Sequence, residues 1–278
     1  MDIVCTTFDI VKEKNMLVFA ALMPHPPESV PGIGSPDDFV VIQKTLHSFE
    51  KLEKDLRKAD PDTILIISPH APMDKYSFVL NSSSELNGTF ENFGLESVLV
   101  YDNNIEIADK ISFACTLNEM PCLLQGHFLD HGALIPIYHL TKKYSAINMP
   151  KIVHLSFSFM NYERHYRYGE IIRGVINSYK GRVAVIASGD LSHIIGLEKS
   201  KDALRMADEF DHEVMRYLGS NDLASLMSLE DKDAKKVREC GMRSIVILLG
   251  ILHGKQYEFN LLSYERPFGV GYLTARLL

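Results

Sequence analysis

The sequence predicts an α/β fold, a three-layer α/β/α sandwich around a mostly parallel mixed sheet. Three observations carry that expectation. Strand-length apolar runs alternate with segments of helical periodicity, the pattern of a sheet covered on both faces. Three of those runs, Leu17 to Leu22, Ile64 to Ile67 and Val183 to Ala187, are apolar at every position, as central parallel strands are. The 278 residues, 46% apolar and 23% charged, suffice for a large core.

The elements follow in order. The first strand, Leu17 to Leu22, runs into a proline- and glycine-rich loop up to Pro36. A helix is expected from Ser35-Pro36-Asp37-Asp38, a cap residue followed by an early proline and first-turn acids. Its apolar stripe is Phe39, Ile42, Leu46, Phe49 and Leu56, and it ends near Asp60-Pro61. The strand Ile64 to Ile67 follows, making a βαβ unit. Tyr76 to Leu80 reads as a strand, Ser82 to Gly88 as a turn cluster, and Ser97 to Tyr101 as a short strand or a helix lead-in. A helix over Asn104 to Asn118 leads to a short strand at Pro121 to Leu124, then to a helix opened by Asp130-His131-Gly132. Lys151 to Ser156 is a buried strand, Asn161 to Tyr179 a helix, and Val183 to Ala187 the third all-apolar strand. Helices over Ser200 to Leu218, Asp222 to Ser228 and Ser244 to Leu252 precede two closing strands, Glu258 to Tyr264 and Val270 to Leu277, expected as an antiparallel edge. Residues 1–15 read as an N-terminal extension and 16–278 as one domain.

A net charge of −7 with no Lys/Arg block argues against a nucleic-acid or acidic-membrane partner. The longest apolar runs fall far short of a membrane span. The four cysteines (Cys5, Cys115, Cys122, Cys240) form no CxxC pair and no secretion signal is evident, so the expected location is the reducing cytoplasm.

All three apolar strands run toward a histidine: Met23-Pro24-His25-Pro26-Pro27, Ser68-Pro69-His70-Ala71-Pro72, and Ser188-Gly189-Asp190-Leu191-Ser192-His193. The carboxyl edge of such a sheet is where ligands bind. Rigid proline loops suit ligands that must be held in fixed geometry. Two histidines plus one carboxylate make a face that favours Fe(II), and Asp130, Asp190 and Glu239 are the candidate carboxylates. For Glu239 the plainer account is a helix N-terminal charge. His193 is a third nitrogen ligand or a free base oriented by Asp190; His131 is a second active-site histidine or a turn residue. Cys240 is a soft ligand or a small buried thiol. There is no phosphate-binding glycine loop, no GxSxG and no HExxH.

Six segments in this order complete the picture: those around His25 and His70, Leu-Asp-His-Gly-Ala-Leu at 129–134, Ala-Ser-Gly-Asp-Leu-Ser-His at 187–193, Glu-Cys-Gly-Met-Arg-Ser at 239–244 and Ser-Tyr-Glu-Arg-Pro-Phe-Gly-Val-Gly-Tyr at 263–272. The set resembles the class III extradiol ring-cleavage dioxygenases, the LigB-like catalytic subunits, and within them the branch called AmmeMemoRadiSam system protein B, related to the Memo proteins. The resemblance implies Fe(II), with Zn or another divalent metal as the alternative, held by His25, His70 and Glu239. It implies His193 as the acid–base residue and His131 as the second histidine near the substrate. Asp190, Asp130 and Cys240 stand behind them, Cys240 because Memo relatives carry a cysteine in this neighbourhood. The expected partners are a small aromatic diol and dioxygen, in a homodimer. The alternative is a Memo-like metal-, ligand- or peptide-binding protein without ring cleavage, acting beside a radical-SAM partner.

Overall fold

A computed structural model describes residues 16–197, 200–229 and 234–278. The expected extension at 1–15 lies outside the described residues. Among the described residues the central sheet has eight strands, β1 Leu17–Met23, β2 Thr63–Ser68, β3 Phe78–Asn81, β6 Cys122–Gln125, β7 Lys151–Ser156, β8 Val183–Ser188, β9 Asn260–Glu265 and β10 Tyr272–Arg276, in the spatial order β6-β3-β7-β2-β8-β1-β10-β9. Strands β7, β2, β8 and β1 are parallel neighbours. Strand β3 pairs antiparallel with β7, and β10 antiparallel with β1, which gives the expected mixed sheet and antiparallel closing edge.

Side-chain alternation builds the two flanking layers. In β2, Leu65 and Ile67 face a core completed by helices α3 (Ile105–Leu117), α5 (Tyr162–Ser178), α6 (Lys201–Gly219) and α9 (Met242–Ile251). Ile64 and Ile66 face the other core, with α2 (Gln43–Ala59) and α4 (His131–Thr141). Because both faces are covered, β2 and β8 are buried at every residue. The short helices α7 (Leu223–Met227) and α8 (Ala234–Val237) precede α9. Among the described residues no helix is long and apolar enough to cross a membrane.

Three local expectations give way. The helix after Ser35 is two helices: α1 (Pro36–Val41), with the capping box on Ser35, stops at Ile42, and α2 begins at Gln43. The segment read as turns at 82–88 contains most of strand β4 (Glu85–Phe90), which pairs with β5 (Leu95–Asp102) in a separate hairpin. Its inward positions are Leu86, Gly88 and Phe90; at Gly88 a Cβ would lie 2.7 Å from the Leu134 side chain, so this strand has no side chain where it meets α4. And β1 and β2 are not neighbours, since β8 sits between them. That insertion brings the third histidine segment between the other two.

Candidate metal and acid–base site

The strand registers align the ends that matter. Met23 at the end of β1 is opposite Ser188 at the end of β8, and Ile67 in β2 is opposite Ala187. The residues that follow these ends, His25, His70 and the loop 189–193, therefore emerge at one edge. His25 is 2% exposed, and its backbone N–H donates to Asp190 Oδ1 at 3.0 Å. Its ring Nδ1 lies 3.0 Å from Ser188 Oγ. The Ser188 hydroxyl donates its own proton to the Gly132 carbonyl at 2.5 Å. The hydroxyl must then accept from His25, so Nδ1 carries the ring proton and Nε2 keeps its lone pair.

That lone pair faces His70. The two Nε2 atoms are 3.1 Å apart. Two nitrogens held about 2.1 Å from one ion at a right angle are about 3 Å apart, so the spacing fits two adjacent ligands of one transition metal. Burial, with a smaller contribution from His131, lowers the His25 pKa to about 3. Burial and neighbouring His25 do the same to His70. Both rings thus stay neutral and able to ligate at neutral pH. His131, the first residue of α4, stacks on His70 at 4.2 Å between ring centroids, and Phe93 meets His131 edge-on at 5.5 Å. One donor atom each from His25, His70 and His131 lie within 4.8 Å of one another.

A second such group shares His25: it is His25, Asp190 and Cys240. Asp190 Oδ2 lies 3.5 Å from His25 Nε2, and Cys240 Sγ lies 3.8 Å from it. Two loops distant in sequence meet here. The Asp190 carbonyl accepts from the Cys240 and Gly241 N–H groups at 3.2 and 2.9 Å, and the Asp190 N–H donates to Cys240 Sγ at 3.2 Å. A Cβ on Gly189 would lie 2.1 Å from Gly241 Cα, so the approach requires glycine. Burial pushes the Asp190 carboxyl up to about 6 and the Cys240 thiol well above its usual value.

Glu239, expected as the carboxylate ligand, is not among these groups. Its Oε2 accepts the Met242 N–H at 2.7 Å, satisfying one of the free donors at the start of α9, while burial raises its pKa to about 7. The carboxylate that the fold delivers to His25 is Asp190. Asp130 also stands back from the cluster. It caps α4 by accepting the Ala133 N–H, takes the Ser68 hydroxyl proton on the same oxygen, and lies 3.0 Å from His154 Nε2 through the other. Burial pushes Asp130 up, but His154 and Ser68 outweigh it and hold the carboxyl below its ordinary range.

His193 Nδ1–H donates to the Leu191 carbonyl at 2.8 Å, which leaves Nε2 as the basic atom, 3.9 Å from Asp190 Oδ2. Its loop is anchored from below. Buried Asp211 on α6 accepts from the Ser192 N–H (3.0 Å), the Ser192 hydroxyl (2.7 Å), Tyr264 Oη (2.7 Å) and Arg266 Nη2 (3.0 Å). The motif at 263–272 closes this anchor, since Gly271 N–H donates to the Ser192 carbonyl and Leu191 N–H to that of Gly271, both at 2.8 Å. Sequence reasoning missed Ser68, Ser188, Phe93, Asp211 and His154; Ser68 and Ser188 were findable, as the last residues of strands already identified.

Against known proteins, residues 19–275 match the family model described as the catalytic LigB subunit of aromatic ring-opening dioxygenase. Protein CA_C1420 of Clostridium acetobutylicum is 31% identical over 267 residues, covering 92% of this chain and 56% of that protein, so the chain spans about half the length of this relative. The crystal structure of an uncharacterized protein of Escherichia coli K12, JW3007, superposes with a TM-score of 0.67 at 15% identity, over 94% of this chain and all of that one, a likeness of fold.

Proposed function

The chain belongs to the family of catalytic LigB subunits of aromatic ring-opening dioxygenases, and from that premise we propose that it opens the ring of a catechol-like diol with dioxygen, using a metal held by His25, His70 and Asp190. The observation that carries the proposal is the pair of neutral imidazoles whose Nε2 atoms face each other at 3.1 Å, with a carboxylate oxygen 3.5 Å from the first. Two histidines and one carboxylate favour Fe(II) and leave positions open. The metal supplies Lewis acidity toward the diol and an electronic link between diol and dioxygen. Ser188 fixes the His25 tautomer. His193 takes a proton from the diol at Nε2 and returns it as the ring opens, held in register by the Leu191 carbonyl and the Asp211 anchor. His131 and Phe93 form a wall for the flat ring.

Cys240 favours a second reading. A thiol 3.8 Å from His25 Nε2 suits a site of two histidines and a thiolate, as in a Memo-like metal-binding protein without ring cleavage. Anaerobic loading with Fe(II), metal analysis, and dioxygen uptake over a catechol panel separate the two. The first reading expects ring-opened product from at least one diol. It also expects His193→Ala to keep the metal while losing turnover; turnover retained in that variant would remove His193 from the chemistry. A sulfur-to-metal charge-transfer band on Co(II) substitution, lost in Cys240→Ser, with no dioxygen uptake in the native protein, favours the second.

A further inference from the structure

Among the described residues the central sheet ends in β9 on one side and β6 on the other, and the two edges are finished differently. β9 is blunted. Its pairing with β10 shifts register between Thr274 and Ala275, and Glu265 and Ser263 bond to Thr45 and Ser48 of α2. Bulges and charged side chains are common means of keeping an edge from adding further strands. β6 carries neither. It pairs with β3 in unbroken register, and no Asp, Glu, Lys or Arg occurs from Met120 to Leu129.

The backbone of β6 is only half used. The Phe78 N–H donates to the Pro121 carbonyl at 3.0 Å, and the Ser82 N–H to that of Gln125 at 3.3 Å. Phe78 is opposite Cys122 and Leu80 opposite Leu124, so the parallel ladder to β3 runs through Pro121, Leu123 and Gln125. The N–H and C=O groups of Cys122 and Leu124 therefore point away from β3, and no other described residue's backbone bonds to them. Around them Leu123 is 46% exposed, Leu124 44% and Phe128 70%. Pro121, Gln125 and Gly126 are exposed as well. Together they offer about 500 Å² per copy, at the lower end of specific interfaces.

We infer that β6 is the contact strand of a homodimer, in which a second copy of this chain adds its own β6 antiparallel across a two-fold axis at Leu123. In that register Cys122 of each copy exchanges N–H···O=C bonds with Leu124 of the other, and Leu123 lies opposite itself with Cα atoms about 4.5 Å apart. A two-fold axis sets each side chain near its own kind, so like charges would repel there, and the run from Met120 to Leu129 has none. A foreign strand steered by charge finds no complement on β6. The contact does not depend on ring-opening chemistry, since β3 and β7 separate β6 from β2.

The test is sedimentation velocity of the full chain between about 1 and 100 µM, the range suited to an interface this small. Wild type should pass from monomer to dimer across it. Leu124→Pro deletes an outward N–H and spares the ladder to β3. Leu123→Lys sets like charges against each other on the axis. Both variants should stay monomeric throughout, with the far-ultraviolet circular dichroism of wild type. Leu123→Cys reads the register: diamide, which takes up the two thiol hydrogens, should link it into a covalent dimer. Wild type, with its own Cys122, and Gln125→Cys should give no such link. A wild type that is monomeric at about 100 µM overturns the inference. So does a dimer undiminished in both Leu124→Pro and Leu123→Lys, or one cross-linked through Gln125→Cys and not through Leu123→Cys. Slow exchange of the Cys122 and Leu124 amides in a monomer would also overturn it, by assigning the edge to another segment of the same chain.

Discussion

His25 and Cys240 meet across 3.8 Å, yet they arrive by opposite routes. His25 comes off a buried strand, two residues past its end, between prolines, with Ser188 of the neighbouring strand fixing its ring. Cys240 comes off a loop whose position depends on a backbone contact with another loop, made possible by two glycines. The first arm is set by sheet register, which every residue of β1 and β8 helps to hold. The second is set at one point. Ligands on strands tolerate local change, and ligands on loops do not.

The sharpest way to break the comparison is therefore Gly189→Ala. The added Cβ meets backbone, which has no rotamer to yield. A loss of about 3 kcal/mol is expected, at the upper end of overpacking costs, read by chemical denaturation. Cys240 and Asp190 should separate, and the protein should bind less metal although His25 and His70 are intact. Wild-type metal content would show the loop contact to be dispensable. Asp211→Ala comes next. It leaves Arg266, whose side chain is 10% exposed, without its buried carboxylate, and it frees the Ser192 N–H and hydroxyl. About 3 kcal/mol of destabilisation is expected, with His193 loosened rather than removed.

On the strand-borne arm the effects are smaller and local. Ser188→Ala removes both the acceptor for His25 Nδ1–H and the donor to the Gly132 carbonyl. The expected result is a loss of about tenfold to a hundredfold in metal affinity by competition with a chelator, with about 1 kcal/mol of stability lost with the Gly132 bond. A larger change in stability than in affinity would mean that the hydroxyl serves the fold rather than the ring.

The pH dependence of metal affinity compares the arms directly. His25 and His70, with pKa values near 3, release no proton on binding above pH 5. Asp190, raised to about 6 by burial, must lose its proton to ligate. If Asp190 is the third donor, affinity falls roughly tenfold per pH unit below about 6 and is level above it. If Cys240 is the donor, its thiol, pushed well above its ordinary value, still releases a proton at pH 8, and affinity goes on rising there. A plateau from pH 6 to 8 excludes the thiolate.

The same contrast explains what the sequence let one read. Strand ends are legible, because an apolar run cut by Ser-Pro or Ser-Gly places the next polar residue at the edge. His25, His70, Asp190 and His193 were accessible in this way. The LigB-like fold was accessible too, since alternation and its interruptions encode the layers. What could not be read was which of two adjacent residues, Glu239 or Cys240, turns toward His25. That depends on the backbone path at Gly241, which is set by Gly189 far away in the chain. The break at Ile42 was hidden for a related reason: the apolar stripe passes through it unchanged, and only the backbone there departs from helix (φ −99°, ψ 25°).

The smallest expected effect on the site belongs to Glu239→Gln, and it tests whether Glu239 is part of the ligand set. Glutamine keeps an acceptor for the Met242 N–H and the same volume. Burial raises the Glu239 pKa to about 7 from an ordinary value of 4.5, so below the ordinary value the folded and the unfolded protein both hold this group mostly neutral, and there the substitution should change stability by less than about 1 kcal/mol. The sign then depends on pH. A carboxyl whose folded pKa lies above its unfolded value near 4.5 costs stability as pH rises between those two values, because the unfolded chain gives up the proton first. Glutamine carries no such cost, so the variant should gain on wild type from pH 5 to 7 and hold that gain above it, with metal content unchanged throughout. Were Glu239 a ligand, the variant would lose metal, and the metal-loaded wild type would be the more stable protein at high pH. Denaturation curves at pH 5 and 8, with and without metal, distinguish a carboxylate that caps a helix from one that holds an ion.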